Sequence, residues 1–263
     1  MPAQVNVKKV LAGSSMLALS VLVIWRLLYE VSAYSWLVLI PLLVACTAGS
    51  YLGVVQSRQA YLDAALTQDT WLRKWLKGRA YAMFTSVVFG FTATLFIGYK
   101  ALVVTGGEFV LLSLFFAGSV VVYCRQINTL HPHVNTRYLP TMSASITLVL
   151  AGSVSALLYG FYVANETIPG ELRNAGFSQI WEFKVQSLPQ GTGLIAKFME
   201  LFVTIDAIEL YAVVHGSTLT SLVAPLYLIN SVAVAYVIVR FAAAISEFLR
   251  SLFMSRVVQN EQQ

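Results

Sequence analysis

Six stretches of this chain are apolar and long enough to cross a lipid bilayer. Hydrophobic residues make up 58% of the sequence and charged residues only 11%, whereas soluble domains are roughly 25% charged. This excludes a soluble globular protein and predicts an all-α, polytopic integral membrane helical bundle with a single transmembrane domain over residues 1–263. The predicted spans are about 10–29, 34–55, 81–103, 109–124, 142–164 and 222–245.

A seventh apolar segment, 193–214, carries four ionisable side chains within a short stretch. Each would cost about 2.5–3.5 kcal/mol at the centre of a bilayer. We therefore predict six transmembrane helices plus one amphipathic or re-entrant helix at 193–214. Its charges could line a vestibule that concentrates cations, or they could simply be solvated, with the first two paired across one helical turn. These four residues are Lys197, Glu200, Asp206 and Glu209.

Charge counting favours both termini on the cytoplasmic side. With six spans, 12 of the 17 Lys and Arg residues face the cytoplasm, whereas seven spans would place nine inside and eight outside. Basic residues accumulate in cytoplasmic loops. The rule therefore predicts a cytoplasmic loop over 56–80 and a large non-cytoplasmic excursion over 165–221. The short loops are typical of a bacterial inner membrane protein.

The last span is expected to continue as a helix from 222 to 253, a length of roughly 48 Å that exceeds the hydrocarbon core. It should project two to three turns into the cytoplasm and carry Arg250 there. We expect Arg240 near the cytoplasmic edge of the hydrocarbon. It would either reach the lipid head groups or bind a fixed partner, for which the small residues 242–244 leave room.

Small residues recur one helical turn apart in two spans. Such spacing lets helix backbones approach closely within a membrane. Packing inside one chain and an interface between copies are both consistent with it. The positions are Gly49 and Gly53 in the second span, and Gly152, Ala156 and Gly160 in the fifth.

The basic loop after the second span alternates aromatic and cationic residues. One helical face would carry tryptophans and leucines and the other face cations, which is typical of an interfacial helix on anionic lipid. Docking of a soluble partner is the alternative. The residues are Trp71, Arg73, Lys74, Trp75 and Lys77.

The sequence contains no glycine-rich phosphate loop, HExxH, CxxC or nucleophile elbow. We therefore expect no catalytic residue, no metal site and no cofactor, and we expect the protein not to be an enzyme. The net charge of +5 is interpreted as attraction to anionic lipid head groups and not to nucleic acid. The expected partners are membrane lipids and either further copies of the chain or other membrane subunits.

Three functions fit this pattern. The first is a non-enzymatic subunit of an oligomeric, channel-like or conduit-forming assembly. The second is a scaffold or accessory subunit of a larger membrane complex. The third is the permease subunit of an ABC-type exporter, whose separate ATPase would contact the 56–80 loop.

Overall fold

The computed structural model describes residues 6–65, 79–165, 172, 175–191, 194–215 and 220–260. The structure is 88% helical and contains no strand in the part of the chain it describes. The helices are α1 (Val7–Leu28), α2 (Ile40–Ala65), α3 (Arg79–Val103), α4 (Gly106–Leu130), α5 (Leu139–Thr147), α6 (Ser153–Ala164), α7 (Phe177–Ser187), α8 (Leu194–Val214) and α9 (Thr220–Asn260). A 3-10 helix (Ser35–Leu39) precedes α2, and a π-helical turn (Leu148–Gly152) joins α5 to α6.

Six helical segments among the described residues are long and apolar enough to cross a membrane, so the predicted all-α polytopic bundle is confirmed. The fourth span, expected to be short, extends in both directions. It begins at Gly106, where Thr105 caps the helix, and ends at Leu130. The six segments are Val7–Leu28, Ser35–Arg58, Arg79–Val103, Gly106–Leu130, Leu139–Val163 and Leu228–Phe253.

The final helix α9 is the centre of the bundle. Within its span 56% of the residues are buried, compared with 22–33% in the other five. It packs against α1, α2, α4 and α6. At 41 residues it is roughly 61 Å long, which confirms the expected long last helix.

The closest approach in the bundle is between α2 and α9. A Cβ built on Gly49 would lie 1.8 Å from the carbonyl oxygen of Ala244. Only glycine leaves room for this contact, because it has no side chain. Ala242 and Ala243 beside it are also buried. The small residues expected to leave room for a close neighbour therefore do so.

Helices α7 and α8 form an antiparallel hairpin at the end of the bundle where α1 ends and α2 begins. We call this end the hairpin end, and the opposite end, where α1 begins and α9 finishes, the terminal end. Trp181 Nε1 on α7 donates a hydrogen bond to Thr204 Oγ1 on α8 at 3.1 Å. Ile180 and Ala207 are both fully buried between the two helices.

The start of α8 lies deep beside α3. The ring of Phe198 is 5.9 Å from that of Phe91, which is halfway along α3. Phe202 stacks on Tyr99 at 5.5 Å, which is closer to the end of α3. The helix thus enters the bundle from the hairpin end to about half the length of α3 and runs back out, the geometry of a re-entrant segment.

The outer side of α8 is apolar. Leu201, Ile205 and Ile208 expose 57%, 53% and 48% of their surface. These side chains would contact lipid in a bilayer, while the opposite face buries Met199 and Val203 in the bundle. This explains why a helix with four ionisable residues is nevertheless strongly apolar.

The proposed orientation predicts that the hairpin end and the terminal end of the bundle are accessible from different sides. Cysteines introduced at Ser178 and at Gln259, after replacement of Cys46 and Cys124 by alanine, should react with an impermeant thiol reagent from opposite sides of sealed vesicles. The physical basis is the uneven distribution of Lys and Arg. Reaction of both cysteines from one side would contradict the six-span topology.

Candidate functional site: polar clusters along the central helix

Arg240 lies in the middle of a span and not near its edge. It is close enough to Cys46 for its charge to act on that thiol. Cys46 lies near the middle of the predicted second span, 34–55. The expectation of a position near the cytoplasmic edge was therefore wrong. The reason is that the apolar stretch continues past residue 245, to at least Phe253.

The side chain of Arg240 has no ion pair or hydrogen bond to any residue that the structure describes. A cation in the middle of a span without a fixed partner is costly, and such residues mark substrate or ion pathways. The fixed protein partner considered from the sequence is thus not found. Arg240 instead lines a cavity.

This cavity has a volume of about 120 Å³ and lies between α2, α4, α5 and α9. It extends from the level of Arg240 towards the terminal end of the bundle, as far as Ser57 on α2. Most of its lining surface is apolar, and a smaller part is polar. Its polar and charged lining includes Ser50, Ser57, Tyr123, Thr141, Arg240 and Glu247.

Among the described residues that line this cavity, Glu247 is the only carboxylate, and both of its oxygens accept hydrogen bonds. It is 3% exposed. Its Oε2 accepts hydrogen bonds from Tyr123 OH at 2.7 Å and from Arg250 Nε at 2.8 Å, and its Oε1 accepts one from Arg250 Nη2 at 2.5 Å. Arg250, expected as a cytoplasmic charge, thus neutralises Glu247, and the charge of Arg240 is left over.

A second polar cluster lies at the hairpin end. Lys100, 8% exposed near the end of α3, forms an ion pair with Asp206 of α8, with 3.4 Å between Nζ and Oδ2. Tyr99 OH donates to the same oxygen at 2.5 Å. This pair fixes α8 to α3.

Two further carboxylates lie around this pair. Tyr159 OH of α6 donates to Glu108 Oε1 at 2.9 Å, and Glu108 is near enough to interact electrostatically with Lys100. Asn230 Nδ2 of α9 donates to Glu209 Oε2, while Glu209 Oε1 is buried and has no hydrogen-bond partner among the described residues. Burial raises the pKa of Glu209 above its usual value, and the Asn230 hydrogen bond opposes that shift.

The four charges predicted as a vestibule separate into two pairs. Asp206 and Glu209 turn inward to the hairpin-end cluster, whereas Lys197 and Glu200 are exposed on the other side of α8. No ion pair joins Lys197 to Glu200, although both are among the described residues. Five residues of this cluster were not predicted as site residues from the sequence: Tyr99, Lys100, Glu108, Tyr159 and Asn230.

The tip of the hairpin contacts the end of α1. A Cβ on Gly191 would lie 2.4 Å from Cζ of Tyr29. The Tyr29 hydroxyl is buried without a hydrogen bond to any described residue. Burial, with the charge of Glu200 adding to it, raises the pKa of Tyr29 to about 12, so this phenol stays neutral.

The small residues of the second and fifth spans lie at contacts inside one chain. Gly49 meets α9, and a Cβ on Gly160 would lie 3.1 Å from Ser231 Oγ, also on α9. Gly152 is buried and Ala156 is half-buried on the same side of the helix. The Gly53 carbonyl accepts from Thr141 Oγ1 at 3.1 Å. The strip on α6 thus faces the core, and large apolar residues such as Leu157 face outward.

The proposed lipid-docking residues Trp71, Arg73, Lys74, Trp75 and Lys77 lie outside the residues that the structure describes. Nearby, the guanidinium of Arg58 lies 4.0 Å from the ring centre of Tyr81. This cation–π contact joins the two helices on either side of the 56–80 loop.

Replacing Glu209 with glutamine should stabilise the protein. The variant removes a buried charge and keeps an oxygen for the Asn230 amide. Because burial raises the pKa of Glu209, the folded state holds its proton more tightly than the unfolded state, so wild-type stability falls as pH rises above 4.5. The melting temperature should therefore rise more at pH 7.5 than at pH 4.5, by roughly 2–4 °C per kcal/mol gained.

The matched control is Glu200→Gln, because Glu200 is exposed on the same helix. It should leave the melting temperature unchanged. An equal effect of both substitutions would show that Glu209 is not buried as described.

Comparison of the chain with protein-family models, with curated proteins and with solved structures gives no match, and assignment of a function therefore rests on the cavity at Arg240 and the cluster at Lys100.

Proposed function

We propose that this integral membrane protein is a channel-like or conduit-forming subunit in which the cavity at Arg240 is one half of a path for a small polar solute. The observation that supports this best is a guanidinium at the depth of Cys46, lining a cavity that continues from there towards the terminal end as far as Ser57. Solute sites near the bilayer midplane, accessible from one side at a time, are typical of transport proteins.

The path is closed between Arg240 and the hairpin end. There α9 packs through Val234 and Ile238 against Phe115 of α4 and Tyr159 of α6. Beyond this apolar layer lies the cluster of Lys100, whose Asp206 belongs to the hairpin. Displacement of the hairpin would break the Lys100–Asp206 pair and expose the charges, so the hairpin is suited to act as the gate at that end.

Cysteine accessibility tests whether water reaches the cavity. With Cys46 and Cys124 replaced by alanine, Ser50→Cys should react with a charged methanethiosulfonate reagent in proteoliposomes. Val44→Cys is the matched control, because Val44 lies on the same helix and exposes 52% of its side chain on the outer surface. It should be much less reactive, since thiols in hydrocarbon do not ionise. Equal reactivity at the two positions would contradict a water-filled path.

Transport itself is tested by the conductance of planar bilayers and by solute efflux from proteoliposomes. The Ser50→Cys protein should support conductance or efflux, and modification of its cysteine should reduce that signal. Modification of Val44→Cys should not. If purified protein of verified fold gives neither conductance nor efflux of any small ion, the conduit is refuted.

A scaffold subunit is the second candidate, supported by a groove on the outer surface between α2 and α3. This groove has a volume of about 590 Å³ and an almost wholly apolar lining that includes Leu43, Val44, Met83 and Val87. It could receive a helix of another membrane subunit. The composition of the purified particle separates the candidates. Identical chains in a closed ring favour the conduit, and one copy among different subunits favours the scaffold.

A further inference from the structure

We propose that the cavity at Arg240 binds a small monovalent oxyanion, such as a carboxylate or nitrate. This deepens the proposed function, because the same cavity is used, and it names the class of solute. It follows from the charge balance, the size and the hydrogen-bonding groups of the cavity.

The charge balance of the cavity favours one negative charge. Glu247 is the one carboxylate in the lining, and its two oxygens accept three hydrogen bonds from Tyr123 and Arg250. The Glu247–Arg250 pair is neutral as a unit. Arg240 therefore leaves an excess of one positive charge, in a region where an uncompensated charge is costly. A monovalent anion removes that excess.

The guanidinium favours an oxyanion over a spherical ion. Its planar array of N–H donors matches two oxygens of a carboxylate or nitrate in a bidentate pair. Ser50, which also lines the cavity, forms no hydrogen bond with any described residue and can supply a further donor. The hydroxyls of Ser57 and Thr141 already donate to backbone carbonyls.

The cavity has room for a small solute. Its volume of about 120 Å³ is well above the roughly 10–15 Å³ needed to hold one water molecule, so a carboxylate or nitrate group fits.

The experiment is isothermal titration calorimetry of the full chain in detergent, in a dilute Tris–HEPES buffer free of chloride and carboxylates, with sodium acetate and sodium nitrate as probes. Wild type should bind one anion per chain. Arg240→Gln should weaken binding at least tenfold, and Arg240→Lys should also weaken it, because lysine keeps the charge but loses the planar fork. Arg125→Gln is the control, since it removes one charge from an exposed position and should bind like wild type.

Ser50→Leu provides a second variant in case Arg240 substitutions impair folding. It fills the cavity while the charge of Arg240 remains, and it should also abolish binding. The inference is overturned if wild type binds neither probe, or if Arg240→Gln, still monodisperse on size exclusion, binds as well as wild type. A phospholipid retained through Arg240 in native mass spectrometry, with no acetate binding, would also overturn it.

The outcome for this site is distinguishable from that for the conduit. Anion binding without conductance or efflux would retain the site and refute the conduit. Transport that is unaffected by Arg240→Gln, with no anion binding, would retain the conduit and refute the oxyanion site.

Discussion

Replacing Lys100 with methionine is expected to destabilise the protein more than any other single loss of charge among the described residues. Lys100 is 8% exposed, and its Nζ lies 3.4 Å from Asp206 Oδ2. Without it, Asp206 loses its ion-pair partner and the nearby Glu108 loses the cation that it interacts with. Removing one partner of a buried pair costs about 3–5 kcal/mol. The hairpin should consequently detach from α3, and the melting temperature should fall.

Two further variants make this test specific. Asp206→Asn in the Lys100→Met background removes the unpaired charge and should recover part of the lost stability. Lys197→Met removes an exposed cation from the same hairpin and should have little effect. Equal melting temperatures for Lys100→Met and Lys197→Met would mean that the hairpin is not held to α3 by this pair.

Gly49→Ala is expected to produce the second large effect. The added methyl group would lie 1.8 Å from the Ala244 carbonyl oxygen, so α2 and α9 would have to separate. Overpacking of this kind typically costs about 1–3 kcal/mol, and here the obstacle is backbone, which cannot rotate away. The melting temperature should fall by several degrees, and the cavity beside the contact should change shape.

Gly53→Ala is the matched control for Gly49→Ala. It lies one turn further along the same helix, and a Cβ built there meets nothing within 4 Å. It should therefore be neutral or slightly stabilising, because alanine is favoured over glycine within a helix. If Gly49→Ala is as stable as Gly53→Ala, the close contact between α2 and α9 is incorrect.

The spans could be predicted from the sequence because hydrophobicity over about 20 residues is a local property. The ambiguous segment 193–214 could be recognised as atypical for the same reason. Its position could not be predicted, because that depends on Asp206 meeting Lys100, which is 106 residues earlier. Lys100 in the last turn of a span is indistinguishable in sequence from an ordinary cation at the membrane surface.

The cavity could not be predicted, for a related physical reason. Gly49, Gly53 and Arg240 could each be noted in the sequence, but it is the close contact of α2 with α9 that places them around one cavity. The depth of Arg240 was misjudged because the predicted span ended at residue 245, although the apolar stretch continues to at least Phe253. The ion pair of Glu247 could nevertheless be predicted from the sequence, since Arg250 follows it at the i,i+3 spacing that allows pairing on a helix.

The contact between Gly49 and Ala244 has a mechanical consequence. It lies on the helix that contacts the hairpin through Asn230 and α4 through Glu247. These two residues are 17 positions apart, a distance of roughly 26 Å. If α9 tilted about Ala244, its residues at the hairpin and its residues at Glu247 would move in opposite directions. The hairpin part would move farther, because it is farther from Ala244. Opening at one end of the bundle would then accompany closure at the other.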